Sequence, residues 1–542
     1  MKPETDTLIV GAGPTGLVLA LWLTRQGIKV RIIDKHPATA STSRALVIQA
    51  RTLEIYRQLD LADEVVANGH KVEATNIWVG GSHKGHVPFG NAGAGLTPYP
   101  FMHIYPQDQH ERLLERRLNA LGVHVERFKE LMDFTEHDEF ISARLRDTTR
   151  RREQDTEDDN NNDDDGETET CEAAFIIGCD GAHSAVRHSC GIPFEGETYS
   201  QAFFVADVEG SGPVFNGEAH VTFNANDFFL MLAYDRGHRG RLNGAINTTT
   251  LPANKDLSDL TFADVADAML QANPAVKIDK VNWFTTYRVH HRLAQSFRKG
   301  HRAFLAGDAG HIHSPVGGQG MNTGIGDAVN LAWKLAAVIQ GRAALSLLDS
   351  YEAERHGFAK VLLATTDTAF NFIVSDSYLA YFLRTWLVPM LAPYVTRLAR
   401  VRRMMFARMS QTLVNYRDSV LAAAGSKSKS KSTLVAGGDR LPWAPVGDVD
   451  SYECLKEITW QVHVYGAAKE ELTRWCEDVV KIPLHVFAWD ERYGEVGLGR
   501  DVVYLIRPDM YVAVADGEGE GEGEGVTGRL EGYLKDNGIQ LG

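Results

Sequence analysis

The stretch TLIVGAGPTG at residues 7–16 decides the fold, because it joins a short apolar run to a turn that contains three glycines. Residues 17–26 follow as an apolar helical pattern that ends at Gly27, and a second apolar run, 30–33, closes with Asp34. The order strand, glycine turn, helix, strand and acid is typical of the start of a parallel α/β sheet. We therefore predict that the chain begins with a Rossmann-like α/β domain.

The three glycines of this turn have separate physical roles. Gly11 permits the tight turn, Gly13 lets backbone amides approach a pyrophosphate, and Gly16 allows close helix packing. The pyrophosphate then lies at a helix N-terminus, where the amides and the helix dipole favour an anion. Asp34 is placed to accept hydrogen bonds from a ribose hydroxyl. This context predicts dinucleotide binding, and the alternative is a purely structural glycine turn.

A second glycine-rich region begins with the apolar run RAFLAGD at residues 302–308 and continues as SPVGGQGMN at 314–322. It leads into a helix and so supplies a second helix N-terminus for one ligand. Asp308, at the end of its strand, is suited to the ribityl hydroxyls of a flavin. The amides around Gly320 to Asn322 are suited to the pyrimidine edge of the flavin and to negative charge on the reduced ring.

The net charge of −15 over 542 residues comes from two segments. Residues 153–169 carry ten acids and no bases, and residues 516–525 carry five acids and no bases, so the remaining chain is formally neutral. Such compositions cannot bury apolar surface, and we predict surface loop insertions at both places. No basic region indicates a nucleic-acid partner.

Composition also bears on the compartment. The best candidate for a membrane span, residues 370–395, is interrupted by charges and prolines, so we predict no stable membrane insertion. The N-terminus lacks the pattern of a secretory signal, and cytoplasmic synthesis is expected. The five cysteines form no C-x-x-C pair and are odd in number, which argues against a disulfide framework and against a zinc site, so no metal is predicted.

The patterns divide the chain into α/β and α+β parts. Alternating apolar segments between 196 and 295 predict a mainly antiparallel β substrate domain inserted into the first domain. A Ser/Lys-rich stretch that starts at Gly425 is typical of a flexible linker. The predicted order is a first domain at 1–195, the inserted domain at 196–295, the return of the first domain at 296–370, a helical segment at 371–424, the linker at 425–433 and a C-terminal domain at 434–542.

Three motifs in this order resemble those of the group A flavoprotein monooxygenases, which share the para-hydroxybenzoate hydroxylase fold. They are the turn at 11–16, the run CDGAHSAVR at 179–187, and the region from Gly307-Asp308 to NLAWKL at 330–335. The resemblance covers residues 1 to about 420 and implies a FAD-binding Rossmann-like domain of the GR2 type. Residues 434–542 resemble the thioredoxin-like tail of the phenol and polyketide hydroxylase branch. Because no C-x-x-C is present, a structural or dimer-stabilising role is expected of that tail, and a homodimer is compatible with it.

The resemblance also implies roles for single residues. Asp34, with Lys35 beside it, would take the adenosine ribose, and Asp308 would take the ribityl chain. The cofactor-binding set that it implies is Gly11, Gly13, Gly16, Asp34, Lys35, Arg44, Gln107, Asp180, Asp308, Pro315, Gly318, Gly320, Met321 and Asn322.

The implied reaction uses FAD, O2, and NADPH or NADH as a transient reductant. In this class a flavin C4a-hydroperoxide hydroxylates a phenolic or polycyclic aromatic substrate, so the protein must exclude water and position the ring. The substrate-wall residues predicted are Phe223, Tyr234, Arg241, Tyr287 and Val316, with Phe229, Met231 and Trp283 as further candidates. The acid that phenol hydroxylases place between Arg44 and Gln49 is missing. No catalytic residue is assigned, and the candidate bases are His103, Tyr234, Arg241, His290 and His291.

Three alternatives stay open at this stage. The same flavin peroxide could give Baeyer-Villiger or epoxidising oxygenation of a polyketide ketone or quinone. A flavoprotein could instead shield a reactive intermediate without oxygenating it. A nicotinamide-dependent dehydrogenase explains the first glycine turn but leaves the loop at Asp308 without a purpose.

Overall fold

A computed structural model describes most of the chain. The described residues are 3–39, 45–89, 92–149, 167–223, 228–234, 237–246, 256–272, 276–314, 316–375, 377–422, 433–516 and 525–541. Arg44, Pro315, most of both acidic segments and nearly all of the 425–433 linker lie outside these residues. The predicted mixed α/β fold is confirmed.

The first sheet has eight strands and a parallel centre. Thr5–Val10 lies between Val30–Asp34 and the long strand Thr168–Gly178, and pairs with both in parallel. Parallel strands are buried on both faces, which explains why residues 7–10 and 30–33 are continuous apolar runs. In spatial order the main strands are Arg298–Lys299, Ala303–Leu305, Thr168–Gly178, Thr5–Val10, Val30–Asp34 and Val125–Arg127, with Ile141–Asp147 and Lys129–Glu136 joined antiparallel beside Thr168–Gly178.

The helix Pro14–Arg25 is buried nearly all round, because it lies between the first sheet and two other helices. Its residues Leu17–Leu23 are all buried, and Pro14 occupies the first helical position, where the absent amide hydrogen costs nothing. Gly320–Ile339 and Gln107–Ala120 are the neighbouring helices. This packing makes the glycine turn at the start of Pro14–Arg25 a rigid part of the main core.

The second sheet also has eight strands. Two of them, Ala74–Val79 and Ser82–Pro88, come from the segment that the sequence analysis left within the 1–195 domain, and the first pairs in parallel with Ala219–Phe223. This pairing is a long-range contact, and so no local pattern indicates it. The spatial order is His311–Ile312, Lys277–Ala294, Phe194–Ser211, Arg239–Ile246, Phe228–Ala233, Ala219–Phe223, Ala74–Val79 and Ser82–Pro88.

The two faces of the second sheet differ. One face carries Phe204, Met231 and Leu242 and is covered by the helix Phe262–Ala272. The opposite face carries Leu232 and Ala219 and packs on Val47 of the small sheet formed by Val47–Ile48, Met102–Ile104 and His70–Val72. That second face therefore turns toward the first domain.

The remaining helices are distributed along the chain from residue 50 to residue 536. None of the helices in the described part of the chain is both long and apolar enough to cross a membrane. The helices are Ala50–Gln58, Ala62–Asn68, Ala185–Ser189, Asp349–Tyr351, Gly357–Val374, Tyr378–Phe382, Val388–Val395, Ala399–Met409, Glu470–Arg474, Glu491–Glu495 and Val526–Asp536, with π-helical turns at Glu352–His356, Leu383–Leu387 and Trp475–Val479.

The C-terminal unit contains a four-stranded sheet in the order Leu484–Phe487, Gln461–Tyr465, Val503–Ile506 and Val512–Asp516. The first pair is parallel and the other two pairs are antiparallel. Separate apolar clusters cover the two faces, and one of them includes Trp333 of the helix Gly320–Ile339. The unit is thus packed on the first domain. Its assignment as thioredoxin-like stays a prediction.

A buried ionic network joins the C-terminal unit to the first domain. The Glu354 carboxylate accepts hydrogen bonds from Arg507 Nη1 at 2.7 Å and Lys334 Nζ at 2.8 Å. Arg507 also binds Asp509, and the Asp509 carboxylate accepts a hydrogen bond from Trp333 Nε1 at 3.1 Å. Burial opposes ionisation of Glu354, but the two cations hold the pKa of this carboxyl below its usual range. Each charge is paired, as burial requires.

Replacement of Arg507 should destabilise the protein strongly. Arg507→Ala leaves Glu354 and Asp509 buried with too little positive charge, and we expect a loss of about 3–5 kcal/mol in the free energy of unfolding. Denaturant titration would measure it. Arg507→Lys should lose less of the free energy of unfolding, because lysine keeps the positive charge although it cannot make the bidentate contact. As a control, Arg144→Ala removes an exposed pair with Asp133 and should leave the unfolding midpoint unchanged. Equal effects of Arg507→Ala and Arg144→Ala would contradict this account.

Candidate active site

The two glycine-rich loops meet in space. A Cβ atom on Gly307 would lie 2.7 Å from the Thr15 hydroxyl, and one on Gly324 would lie 2.4 Å from the same atom. Gly307 also has a φ of +63°, which favours glycine. The loop after the strand Ala303–Leu305 therefore sits directly on the first turn of the helix Pro14–Arg25.

The first loop is also closed against the strand Thr168–Gly178. Gly11 has a φ of +102°, and a Cβ there would lie 2.4 Å from the carbonyl oxygen of Cys179. A Cβ on Gly16 would lie 2.0 Å from the Gly11 carbonyl oxygen. Gly13 differs, because it has an extended backbone and no atom within 4 Å of its would-be Cβ among the described residues. Gly13 thus faces open space at the N-terminus of the helix.

Asp34 stands beside this loop. Its carboxylate accepts hydrogen bonds from the amides of Ala12 at 2.7 Å and His36 at 2.8 Å. The bond to Ala12 holds the acid at the glycine turn, while the neighbouring Lys35 is exposed. The acid and the turn, separated by a helix in sequence, therefore form one site.

Asp180 lies at the start of the short helix Ala185–Ser189, whose N-cap residue is Ser184. Its Oδ2 atom accepts the Ala185 amide at 2.7 Å, whereas its Oδ1 atom is buried without a hydrogen-bond partner among the described residues. Burial raises the pKa of this carboxyl. Arg187, in the same motif, donates to the carbonyl of Ala309 at 2.9 Å and so ties the motif to the second glycine loop. The sequence analysis quoted Arg187 but assigned it no role.

Asp308 is exposed in the turn Gly307–Ala309 at the end of its strand, and the backbone around it is held by a buried acid. The Asp327 carboxylate accepts the Gly307 amide at 3.0 Å, His311 Nε2 at 2.7 Å and Arg355 Nε at 2.6 Å. Burial opposes ionisation of Asp327, but Arg355 and His311 lower the pKa of this carboxyl. Sequence reasoning missed Asp327, since a lone acid in an apolar helix gives no local signal.

Asn322 braces the third segment of the site. Its side chain makes four hydrogen bonds, donating to the carbonyls of Val47 and Gly318 and accepting from the Gln49 amide and the Thr52 hydroxyl. Gly318, with a φ of +62°, lies against Val47, where a Cβ would come within 2.9 Å. The Asn322 side chain thus makes all of these hydrogen bonds within the protein. Its backbone amide is one of the amides in the first turn of the helix Gly320–Ile339.

The helix Gly320–Ile339 begins at this point, and its first turn includes Met321, which is half-buried on the main core. The Thr323 amide bonds the Gln319 carbonyl, and the three amides before it lack intrahelical acceptors, as at any helix start. The N-terminus thus presents amide groups and a positive dipole end. Val316 is the first residue of the 3-10 turn that precedes this helix. Elsewhere in the site, the Gln107 side chain accepts a hydrogen bond at 2.8 Å from the amide of Ala45, the residue that follows Arg44.

The predicted substrate residues of the second sheet share one face. Strand register pairs Leu232 with Arg241 and Phe203 with Tyr287, and alternation along the strands puts Phe223 and Tyr234 on the same side. This is the face that packs toward Val47 and therefore toward the Gly318 loop.

Arg241 forms the polar centre of this face. Its buried guanidinium lies 5.4 Å from the ring centre of Trp283 and 5.8 Å from that of Tyr234. The Tyr234 hydroxyl donates to Asp207 Oδ2 at 2.7 Å. Burial raises the pKa of Tyr287 to about 12 and raises that of Tyr234 as well, so both phenols are neutral at pH 7.

Two of the further wall candidates lie on the face of the sheet that does not pack on Val47. They are Phe229 and Met231, in the apolar cluster beneath the helix Phe262–Ala272. Alternation along a strand sends neighbours to opposite faces, and the sequence could not tell which face would meet the first domain. His103 is also structural, because its ring bonds the Val65 carbonyl at 2.9 Å inside the core.

A group of titratable residues near this face was not foreseen as a set. The Tyr199 hydroxyl donates to Asp367 Oδ1 at 2.6 Å, and His291 lies 3.9 Å from the same atom. His313 Nδ1 donates to the Ser314 carbonyl at 2.8 Å, and its Nε2 lies 3.8 Å from where a Gly320 Cβ would be. Burial lowers the pKa of His313 to about 4, so its ring is neutral at pH 7. The run HIHSP at 311–315 was the available signal.

Comparison with known proteins agrees with this architecture. A family described as "FAD binding domain" matches residues 4–366. The chain is 33% identical over 425 residues to the 6-methylpretetramide 4-monooxygenase of Streptomyces rimosus, covering 78% of this chain and 72% of that protein. It is 32% identical over 371 residues to the dialkyldecalin synthase of Streptomyces rugosporus, covering 67% and 72%. The solved ternary complex of aklavinone-11 hydroxylase with FAD and aklavinone has the same fold, with a TM-score of 0.74 and 24% identity over 99% of each chain.

The chain therefore belongs to the FAD-binding domain family. It is a flavin-dependent monooxygenase of the aromatic hydroxylase type, and FAD is its cofactor.

Two glycine variants separate cofactor binding from folding. Gly13→Ala adds a methyl group to open space with an allowed backbone, so the apoprotein should keep its melting temperature while FAD affinity falls, because the methyl group blocks approach of the pyrophosphate. Gly11→Ala introduces a clash with the Cys179 carbonyl and should lower both the melting temperature of the apoprotein and its affinity for FAD. FAD retained per chain after desalting and apoprotein melting are the measurements. Gly13→Ala protein that holds FAD like the wild type would refute this reading of the loop.

Proposed function

We propose that the enzyme hydroxylates a phenolic or polycyclic aromatic substrate of the polyketide type, with FAD, O2 and NADPH or NADH. One observation carries this proposal: the two glycine-rich loops meet at Thr15, and the sheet face with Arg241 and Tyr287 turns toward them through Val47. A related protein of 33% identity is named 6-methylpretetramide 4-monooxygenase, which supports an oxygenation reaction.

The residues present fit FAD. Gly13 and the helix start behind it would take the pyrophosphate, Asp34 the adenosine ribose, and Asp308 the ribityl chain. The amides of Gly320 to Asn322 would meet the pyrimidine edge, and Asp180 Oδ1, which has no hydrogen-bond partner in the described part of the chain, offers a further acceptor near the loops. Gln107, Lys35, Gly318 and Met321 complete the proposed shell, together with Arg44 and Pro315. Bound FAD supplies the oxygen-activating redox chemistry.

The chain itself would position the substrate and keep water out. The apolar side chains of the Val47 and Leu232 cluster close one side of the space between sheet and loop. Arg241 supplies a fixed positive charge on that face, which favours an ionised phenol over the neutral one. Because Tyr287 is a neutral phenol at pH 7, it is suited to donate a hydrogen bond to a substrate oxygen, whereas the Tyr234 hydroxyl already donates to Asp207.

Substrate-stimulated oxygen transfer tests the proposal directly. With phenols, anthraquinones and related polyketides, we expect faster NADPH consumption and one atom of oxygen from 18O2 in a phenolic product. Mass spectrometry of the product measures the label. A labelled lactone or epoxide would show the Baeyer-Villiger or epoxidising reaction instead, and turnover without any label would exclude a monooxygenase role for the compound tested.

Neighbouring residues on one strand test which face meets substrate. Leu230→Ala changes the face toward Val47 and should raise KM about tenfold or broaden the accepted substrates, with a smaller loss of stability because Leu230 is half-buried. Met231→Ala opens a cavity under the helix Phe262–Ala272 and should cost about 2–5 kcal/mol with KM unchanged. Steady-state kinetics and denaturant titration compare them. A KM effect confined to Met231→Ala would reverse the assignment of the faces.

A second candidate function has a specific observation in its favour. The relative named dialkyldecalin synthase is 32% identical to this chain, and its name is that of a synthase rather than a monooxygenase. A flavoprotein that shields and shapes a reactive intermediate is therefore the alternative. It requires product formation in the absence of O2, which the same substrate set can reveal under anaerobic conditions.

Self-association and compartment complete the proposal. Large apolar side chains of the helices Tyr378–Phe382 and Val388–Val395 are exposed, among them Tyr378, Leu379 and Tyr394, and their burial would favour a homodimer. None of the five cysteines, all of which lie in the described residues, forms a disulfide, which fits a reducing cytoplasm.

A further inference from the structure

The C-terminal unit contains a cluster of metal-ligating side chains that the flavin chemistry does not use. Cys454, His463 and His485 each present one ligand atom, and these atoms all lie within 4.8 Å of one another. His463 and His485 are on adjacent parallel strands and face each other in register. Cys454 opens the 3-10 turn Cys454–Lys456, which reaches over the same face of the sheet.

We propose that Cys454, His463 and His485 form a Zn²⁺ site. A thiolate with two imidazoles is a borderline-soft donor set of the kind that zinc prefers. This inference is independent of the proposed oxygenation, because none of the three residues belongs to the flavin or substrate sites.

The spacing of the donors fits tetrahedral geometry. Cys454 Sγ lies 3.5 Å from His463 Nε2. A zinc ion with Zn–S of about 2.3 Å and Zn–N of about 2.0–2.1 Å at the tetrahedral angle separates such a pair of donors by about 3.5 Å. The two side chains are therefore already at the distance that a shared ion requires.

A second observation points to a ligand. His485 Nε2 is buried and has no hydrogen-bond partner among the described residues, although a buried ring nitrogen normally has one. The His485 ring also contributes one nitrogen to the cluster, and an ion bound through Nε2 would give this atom a partner that the described residues do not provide. His485 itself is half-buried, which leaves a path for an ion.

The surroundings hold the donors in place and offer a fourth one. Gln461 Nε2 donates to the carbonyls of Cys454 at 2.8 Å and Glu457 at 2.9 Å, so the amide is held with its Oε1 atom 3.2 Å from His463 Nε2. The fourth position therefore falls to Gln461 Oε1 or to a water molecule. On the far side of the ring, His463 Nδ1 lies 3.4 Å from the Tyr465 hydroxyl, the kind of contact that orients a ligating imidazole.

Such a site would tie the 454–456 turn to the sheet. The prediction of no zinc site rested on the absence of a C-x-x-C pair and on the odd number of cysteines. Here the donors come from three separate segments, and only the parallel pairing of Gln461–Tyr465 with Leu484–Phe487 brings the two histidines together.

Cobalt substitution of the full-length, FAD-containing protein tests the site. After chelator treatment and desalting, titration with Co²⁺ should give ligand-field bands to the red of flavin absorption and a thiolate charge-transfer band, saturating at one ion per chain. Zn²⁺ should bleach these bands and raise the melting temperature. Cys454→Ser should abolish the charge-transfer band, and His485→Gln should weaken Co²⁺ binding at least tenfold.

Cys476→Ser is the matched control, because Cys476 is buried elsewhere in the same unit and contacts the apolar cluster around Trp475. It should leave the cobalt spectrum unchanged. The half-buried His485→Gln variant keeps the test valid if Cys454→Ser fails to fold. Absence of stoichiometric Co²⁺ bands, bands that survive Cys454→Ser, or binding of Cu⁺ without Zn²⁺ or Co²⁺ would overturn the assignment.

Discussion

The buried carboxylate of Asp327 is the constraint on which the site depends. It holds the Gly307 amide, the His311 ring and the Arg355 guanidinium at once, and so joins the second glycine loop to the helix Gly320–Ile339. Gly307 in turn packs on Thr15, at the start of the helix behind the first glycine loop. A buried charge persists only when it is fully partnered, so each of these contacts supports the others.

The consecutive residues Glu354 and Arg355 connect the contacts around Asp327 to the C-terminal unit. Arg355 binds Asp327 and also donates to the Tyr416 hydroxyl, while Glu354, one residue earlier, binds Arg507 of the C-terminal sheet. The π-helical turn Glu352–His356 directs these two side chains to different partners. The C-terminal unit is thereby coupled through buried ion pairs to the helix Gly320–Ile339, which follows the second glycine loop.

Much of the first domain could be read locally. The glycine turn at 11–16 and the acid at Asp34 follow short-range rules of backbone freedom and helix dipoles, and they do come together in space. Asn322 was placed at the correct loop, but its side chain proves to be a brace for Val47 and Gly318. The roles of Asp327, Arg187 and the Tyr199–Asp367 pair depend on partners more than ten residues away, and a single sequence carries no signal for such pairs.

The sequence by itself determined the class of fold, the place of both glycine loops and the kind of cofactor, because these depend on the conformational freedom of glycine and on strand and helix periodicity. Tertiary structure alone decided which face of the second sheet meets the loops, that strands Ala74–Val79 and Ser82–Pro88 join that sheet, and that Cys454, His463 and His485 converge. The reason is physical. A period of two residues tells that a strand has two faces, but only the packing of the whole chain determines what each face will touch.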